Sequence, residues 1–315
     1  MKLANAVDGA DVVLAVGRGN EVIFVAEAAA ALKACGVATS TVPTSVEDCV
    51  ADEAAGDALA ELLELVHRQG AAMHRLWRAE SDVTFVAPVR RPGQILCVGL
   101  NYRDHAAEVG LDAPDRPLYF AKLPSAVTGP GGEIEFPAES IQLDYEAELA
   151  VVIGATAHRV TANEARAHIA GYTIFNDVSV RDVMFADGQW TRGKSGNTHA
   201  PMGPYLVTRA AIADPQSLAV RTTVNGAVRQ ESTTAEMIVG VDALVADASQ
   251  WFTLRPGDVI ATGTPAGVGL ARQPPAYLEP GDVVSVSIDG LGTLTNTVGP
   301  RHSHATPAAS NMDVS

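Results

Sequence analysis

Three acidic residues alternate along one short stretch of the chain and could together hold a metal ion. Asp144, Glu146 and Glu148 are each separated by one residue, and the apolar run LAVVI at 149–153 follows directly. Because side chains alternate between the two faces of a strand, these carboxylates are predicted to share one face, about 7 Å apart. A solvated polar face is the alternative. Two carboxylates at the mouth of a buried strand, however, repel each other unless a cation or proton intervenes, and all-oxygen ligands suit Mg²⁺ or Mn²⁺.

A second apolar stretch supplies a third acid. The run YTIFN at 172–176 leads into Asp177, and Arg181 follows four residues later. Asp177 is the candidate third ligand of the metal. Arg181 could hold a substrate carboxylate by paired hydrogen bonds.

The segment GQWTRGKS at 188–195 matches the phosphate-binding pattern GxxxxGK[ST]. That pattern needs a buried strand before it and a helix after it, whereas RDVMFAD precedes it here and Pro201 follows closely. Trp190 and Arg192 are also too bulky for a loop whose backbone wraps a phosphate. A nucleotide-binding protein is kept only as an alternative function. Lys194 is interpreted instead as a cation over a developing enolate.

Two further segments carry polar groups that could act on a substrate. His105 and Glu108 lie three residues apart in a predicted helical turn, so the carboxylate can orient the imidazole for general-base catalysis. A pair on a helix surface is the alternative. The Gly-rich stretch ATGTPAGVG at 261–269 follows a strand, and its N–H groups and the Thr264 hydroxyl could bind a carboxylate. A plain loop is the alternative there.

The elements that must position these residues fall into two parts. Residues 1–88 combine two apolar strands within 11–25 with helical patterns over 26–35 and 52–80 and are predicted to be a small α/β domain. The Pro- and Gly-rich loop at 88–93 marks the boundary. Residues 89–300 alternate short β-rich runs with turns, with one clear helix at 234–252, and are predicted to be an α+β, mostly β domain. The tail 301–315 is predicted to be disordered.

Composition excludes several classes of protein. The net charge of −15 argues against sequence-independent binding to nucleic acid, which needs Lys and Arg to neutralise phosphates. No apolar run reaches the roughly 18 residues of a membrane span, and no signal peptide is recognisable, so no membrane partner and a cytoplasmic location are predicted. The three cysteines are widely spaced and predict neither a disulfide framework nor a zinc site.

In combination and in order, these segments resemble the fumarylacetoacetate hydrolase family. The resemblance covers about 93–298 and is carried by the motifs CVGLNYRDHAAE, LDYEAELAVVIG, NDVSVRD, GQWTRGKS, PMGP and ATGTPAGVG. It implies a mixed β-sandwich or roll as the catalytic domain, a homodimer, and one Mg²⁺ or Mn²⁺ per subunit.

The resemblance also implies roles for individual residues. Glu146, Glu148 and Asp177 match the metal ligands of the family. His105 and Glu108 match its water-activating pair, and Lys194 matches its catalytic lysine. The positions that match substrate contacts are Arg181, Thr264, Lys122 and Met184.

Two departures from the family bear on the substrate. Many relatives read RDLQ where this chain has RDVM at 181–184, so a polar pocket contact becomes the thioether of Met184. Many also read KSFDT where this chain has KSGNT at 194–198, which should reshape the pocket.

The resulting functional hypothesis is metal-dependent hydrolysis of a carbon–carbon bond in an acylpyruvate-like 2,4-dioxo acid. The alternative at the same site is a decarboxylase, hydratase or isomerase that acts on a small 2-oxo acid. A non-catalytic member of the family, serving as a binding or structural protein, is the remaining possibility from another class.

Overall fold

The computed structural model describes residues 1–52 and 54–301, so the predicted disordered tail, except for Arg301, lies outside the described residues. The described residues form twenty strands, which are β1 Lys2–Asp8, β2 Asp11–Arg18, β3 Glu21–Phe24, β4 Trp77–Ala79, β5 Phe85–Val86, β6 Ile95–Gly99, β7 Leu118–Lys122, β8 Val127–Thr128, β9 Glu133–Phe136, β10 Leu143–Asp144, β11 Ala147–Ile153, β12 Ile169–Asn176, β13 Ser179–Val180, β14 Ala200–Pro201, β15 Leu206–Thr208, β16 Ala219–Val224, β17 Ala227–Thr233, β18 Val259–Ala261, β19 Val283–Ile288 and β20 Gly292–Arg301.

Helices are fewer and mostly short. Within the described ranges, the α-helices are α1 Val25–Ala34, α2 Val46–Ala51, α3 Ala54–Arg68, α4 Ala71–His74, α5 Arg103–Val109, α6 Ala162–Ala165, α7 Arg181–Asp187, α8 Thr191–Lys194 and α9 Val241–Trp251. Single 3₁₀ turns occupy Glu80–Asp82, Pro124–Ala126, Arg166–His168, Arg209–Ala211, Thr234–Glu236 and Gly269–Ala271. No helix in the described ranges is long and apolar enough to cross a membrane.

Most strands belong to one large sheet. Its order is β4-β3-β2-β1-β15-β12-β11-β18-β6-β7, with β5 paired to β1. A second sheet has the order β17-β16-β19-β20-β9. The first strand joins the large sheet through β15, with Lys2 opposite Val207 and Leu3 opposite Leu206. The strands of 1–88 therefore continue the same sheet, and the proposed domain boundary at 88–89 stays a prediction.

The centre of the large sheet explains why the sequence around position 150 is so apolar. Strand β11 is hydrogen-bonded on both sides, to β12 and β18, and every one of its residues is buried. Its alternate side chains enter two different cores. Leu149 and Val151 pack in a cluster with Val286 of the second sheet, whereas Ala150 packs in a cluster that also contains Leu59 of α3. The fold is thus a sheet-on-sheet sandwich covered by helices on its other face.

The predicted fold class, α+β and mostly β, is confirmed, with corrections to individual elements. The helical pattern over 52–80 is divided into α3 and α4, because Gly70 between them has a φ of +54°, and the prediction is wrong after His74, where Trp77–Ala79 form strand β4. The predicted helix at 234–252 is one 3₁₀ turn followed by α9. The acidic stretch 144–148 is also divided, since β10 ends at Asp144 and β11 begins at Ala147.

Candidate active site

Three carboxylates meet where β11 and β12 lie side by side. One oxygen from each of Glu146, Glu148 and Asp177 lies within 4.8 Å of the other two, and all three residues are buried. Glu148 belongs to β11, while Asp177 directly follows β12. The backbone ties the two strand ends together, because Asp177 N donates to Glu146 O at 2.9 Å and Glu146 N donates to the Asn176 side chain at 3.0 Å. Sequence reasoning missed Asn176, whose role depends on strand pairing.

Two buried lysines partly neutralise this cluster. Lys194 Nζ donates to Glu146 Oε2 at 2.7 Å and to Asp177 Oδ2 at 2.8 Å. Lys122 Nζ donates to the other Asp177 oxygen and to Val178 O, 3.0 Å away. Burial lowers the pKa of Lys194, but Asp177 and Glu146 outweigh it and raise the pKa above its ordinary value. Lys194 therefore stays a cation inside the protein.

Glu148 differs from its two neighbours. Burial, followed by the charges of Asp177 and Glu146, holds the pKa of Glu148 well above its usual range. For Glu146, burial raises the pKa, but Lys194 and Arg181 outweigh it and the pKa lies below its usual range. No ion pair joins Glu148 to a lysine or arginine among the described residues. A third buried carboxylate without a cation, beside two others, fits a hard divalent cation with all-oxygen ligands.

Asp144 takes a different place from the one that strand alternation predicts. Its carboxylate accepts hydrogen bonds from Gly269 N and Leu270 N at 2.8 and 3.0 Å and forms an ion pair with Arg181. The break between β10 and β11 turns it away from the cluster. Arg181 also contacts Glu146 Oε1 at 2.6 Å, so its guanidinium is already engaged by two acids. A contact between Arg181 and a substrate carboxylate stays a prediction.

The predicted pair of His105 and Glu108 is formed on α5. His105 Nδ1 lies 3.1 Å from Glu108 Oε2, and Glu108 Oε1 accepts a hydrogen bond from Gly267 N at 2.8 Å. The Gly-rich loop thus anchors the carboxylate that orients the imidazole. A side chain at Gly267 would place its Cβ 2.1 Å from Arg229 O, and its φ is +105°, so the loop requires glycine there. No described residue forms a hydrogen bond with His105 Nε2, so this nitrogen is available to a bound molecule in the cavity.

A cavity of about 260 Å³ brings these groups together. Its polar wall consists of His105, Glu146, Glu148, Arg181, Lys194 and Thr264. Gln230, which sequence reasoning missed, fixes Thr264 by donating to its hydroxyl at 2.8 Å. Among the described residues, Lys122 and Asp177 do not line the cavity. Lys122 contacts the cluster through its hydrogen bond to Asp177. Met184 lines the cavity as the resemblance implies.

Comparison with known proteins identifies the fold and its family. Residues 94–299 match the model of the fumarylacetoacetate (FAA) hydrolase C-terminal family. The chain is 47% identical over 220 residues to "Oxaloacetate tautomerase FAHD2A, mitochondrial" of Bos taurus, which covers 69% of this chain and 70% of the relative. This protein belongs to the fumarylacetoacetate hydrolase family.

Two more relatives extend the likeness into the N-terminal part. "Oxaloacetate tautomerase YisK" of Bacillus subtilis is 41% identical over 267 residues, 82% of this chain and 88% of the relative. The solved fumarylacetoacetate hydrolase of Exiguobacterium antarcticum is 34% identical, has a TM-score of 0.76, and covers 96% of this chain and 100% of its own. Because some relatives are named as mitochondrial, the cytoplasmic location stays a prediction.

The phosphate-binding pattern at 188–195 has none of its expected context in this member of the family. Helix α7 precedes it instead of a buried strand, and the four-residue α8 ends at Lys194. The Lys194 ammonium contacts Glu146 and Asp177 rather than an open loop. The geometry gives no support to the nucleotide-binding alternative.

Proposed function

We propose that this protein is a divalent-metal-dependent isomerase that interconverts the keto and enol forms of a small 2-oxo acid. The observation that carries the proposal is one small cavity in which the His105–Glu108 pair faces a buried carboxylate cluster and a lysine cation. The relatives named as oxaloacetate tautomerases, at 41–47% identity, support an isomerase over the hydrolase that the sequence first suggested.

Each group in the cavity has a task in this reaction. Glu146, Glu148 and Asp177 would hold Mg²⁺ or Mn²⁺, one ion per subunit. When bound, the ion supplies Lewis-acid polarisation of the substrate's 2-oxo and carboxylate oxygens. His105 Nε2 removes a proton from C3, and Glu108 orients the ring and stabilises it when it carries that proton. Lys194 stabilises the negative charge that develops on the C2 oxygen.

The same groups would also serve a hydrolase, which is the second candidate. The His105–Glu108 pair is suited to activating water, and a maleylpyruvate hydrolase from Sphingobium is 28% identical with a TM-score of 0.73. In that reaction water attacks the 4-carbonyl of an acylpyruvate and a pyruvate enolate leaves. Decarboxylation and hydration of 2-oxo acids need less from His105.

An assay with freshly dissolved enol-oxaloacetate separates these reactions. Malate dehydrogenase with NADH detects the keto form, and lactate dehydrogenase with NADH detects pyruvate from decarboxylation. Hydrolysis is measured separately, as the loss of absorbance of an acylpyruvate substrate. We expect metal-dependent acceleration of keto formation that EDTA abolishes. Pyruvate release or acylpyruvate cleavage without faster keto formation would contradict the isomerase proposal and favour the second candidate or a decarboxylase.

We also propose that the protein binds no nucleic acid and no membrane and forms a homodimer. The acidic charge supports the first point. Size-exclusion chromatography with light scattering tests the oligomeric state, and a monomeric mass would contradict it.

A further inference from the structure

The site cavity has a second wall that the proposed chemistry does not use. Apart from its polar groups, the lining is aliphatic and aromatic, formed mainly by Leu111, Leu118, Phe120, Met184, Phe185 and Trp190. The rings of Phe120 and Trp190 pack edge to face, with centroids 5.2 Å apart. Met184 is buried at 4% exposure and forms part of this wall. This set of six residues is called the apolar wall.

The rim of the apolar wall is open to solvent. Leu111, Leu118 and Phe185 are 59%, 46% and 57% exposed, respectively. Exposure of large apolar side chains to water at a cavity mouth is unfavourable. Covering them with an apolar group of a bound molecule lowers the free energy. The rim therefore favours a bound molecule with an apolar part.

The cavity offers little to a second carboxylate. Among the described lining residues, Arg181 and Lys194 are the permanent cations, and each already contacts two acids. A carboxylate at the end of the substrate remote from the cluster would lie against hydrocarbon without a partner, which is costly.

We infer that the substrate carries an apolar group, aryl or branched alkyl, on C3, and that Met184 is a residue that determines this specificity. The inference rests on the proposed keto–enol isomerisation. In that step the C3–H electron pair becomes the C2=C3 double bond, the carbonyl electrons move to oxygen, and the proton passes from C3 to that oxygen. Nothing is oxidised, and no group leaves. The apolar wall contacts the C3 substituent while the carboxylate and 2-oxo group face the acids.

Binding of two compounds that cannot enolise tests the wall without requiring turnover. Benzoylformate carries a phenyl group beside its 2-oxo acid, and mesoxalate carries a second carboxylate instead. With the full chain and Mn²⁺, we expect calorimetry to show at least about tenfold tighter binding of benzoylformate. Met184→Gln should reduce that ratio by about tenfold, whereas Met184→Leu should keep it.

Two variants at exposed positions keep the test valid if a variant at the buried Met184 does not fold. Phe185→Ser removes an exposed ring of the rim and should also reduce the ratio, whereas Trp251→Ser removes a 67% exposed ring outside the cavity and should leave it unchanged. Equal binding of the two compounds, or a ratio that neither Met184→Gln nor Phe185→Ser lowers, would overturn the inference.

Turnover then distinguishes this inference from the proposed function. We expect enol-phenylpyruvate to be converted to its keto form with a kcat/KM at least about tenfold above that of enol-oxaloacetate. If benzoylformate binds preferentially but neither enol is converted, the isomerase proposal fails and the apolar specificity stands. If both enols are converted but oxaloacetate is preferred, the isomerase proposal stands and the apolar specificity fails.

Discussion

The carboxylate cluster and the His105 turn meet in one cavity, but they are held by different kinds of contact. The cluster lies at the ends of two central strands, and its acids and lysines are buried. The turn is the seven-residue helix α5, on which the side chains of His105 and Glu108 are 11% and 19% exposed, and Glu108 also accepts a hydrogen bond from Gly267 N.

The difference separates two kinds of effect. Removing a charge from the cluster leaves a buried partner uncompensated, so stability and metal binding should both respond. Removing a side chain from α5 leaves no buried lysine or arginine without its acid, so activity should respond more than stability. Substitutions in the two regions can test this division.

The largest effect is expected at Asp177. Asp177→Ala deprives the buried ammoniums of Lys122 and Lys194 of their shared carboxylate. We expect the free energy of unfolding of the metal-free protein to fall by about 3–5 kcal/mol, with loss of turnover. Urea denaturation measures the stability change.

An exposed ion pair is the matched control for Asp177. Glu64 and Arg68 lie 3.0 Å apart on α3, with side chains 57% and 67% exposed. Glu64→Ala should change stability by no more than about 0.5 kcal/mol. If the two variants lose the same stability, the cluster is not held by its charges.

His105→Ala should reduce the rate of keto–enol conversion about 10²- to 10⁴-fold, because it removes the proposed proton carrier. Binding of Mn²⁺ and the urea midpoint should stay close to those of the unchanged protein. His67→Ala, at an exposed histidine of α3, is the control and should keep full activity. If His105→Ala retains most of the activity, α5 takes no part in the chemistry.

A second histidine sharpens the comparison because it is buried against a backbone carbonyl, that of Glu135. Burial lowers the pKa of His199 to about 4, partly offset by its hydrogen bond with Glu135 O. Between pH 6.5 and 4 the unfolded chain therefore binds a proton that the folded chain does not, so stability falls as the pH falls.

The size of this effect follows from the two pKa values. Relative to neutral pH, we expect His199 to cost about 2 kcal/mol of stability at pH 5. This stability change is measured by urea denaturation of the unchanged protein and of His199→Gln. Both are compared at about pH 7.5 and pH 5 and at the same ionic strength. Parallel pH dependences of the two proteins would show that His199 is not held neutral.

Glu108→Gln is expected to have the smallest effect. The amide keeps an acceptor for Gly267 N but loses the charge beside the imidazole. Because a hydrogen bond to a charged partner is stronger than a neutral one by about 1 kcal/mol, we expect kcat to fall about fivefold with little change in KM. A change in KM alone would point to substrate binding instead.

Local patterns were enough for some parts of the site. The apolar run at 149–153 predicted a buried strand, and the three-residue spacing placed Glu108 beside His105, because both relations depend on neighbours in sequence. The metal cluster could not be predicted from one local pattern, because pairing of β11 with β12 brings Glu148 and Asp177 together.

Other parts could not be predicted because they depend on contacts between distant segments. Alternation placed Asp144 with the glutamates, but the strand breaks after it, and Arg181 and three backbone N–H groups bind it. Asn176 and Gln230 are ordinary polar residues in the sequence, and only the folded chain places them against Glu146 and Thr264. The split between α3 and α4 depends on the conformation of one glycine.

The most direct test of the metal site is a calorimetric titration of Mn²⁺ into the unchanged protein and into Glu148→Gln. This variant keeps the contacts of Lys194 with Glu146 and Asp177 and removes the carboxylate that lacks a cation. We predict one Mn²⁺ per chain, at least about 100-fold weaker binding in Glu148→Gln, and a metal-free variant as stable as the unchanged protein or more so. Undiminished Mn²⁺ affinity in Glu148→Gln would contradict the assignment of this cluster as the metal site.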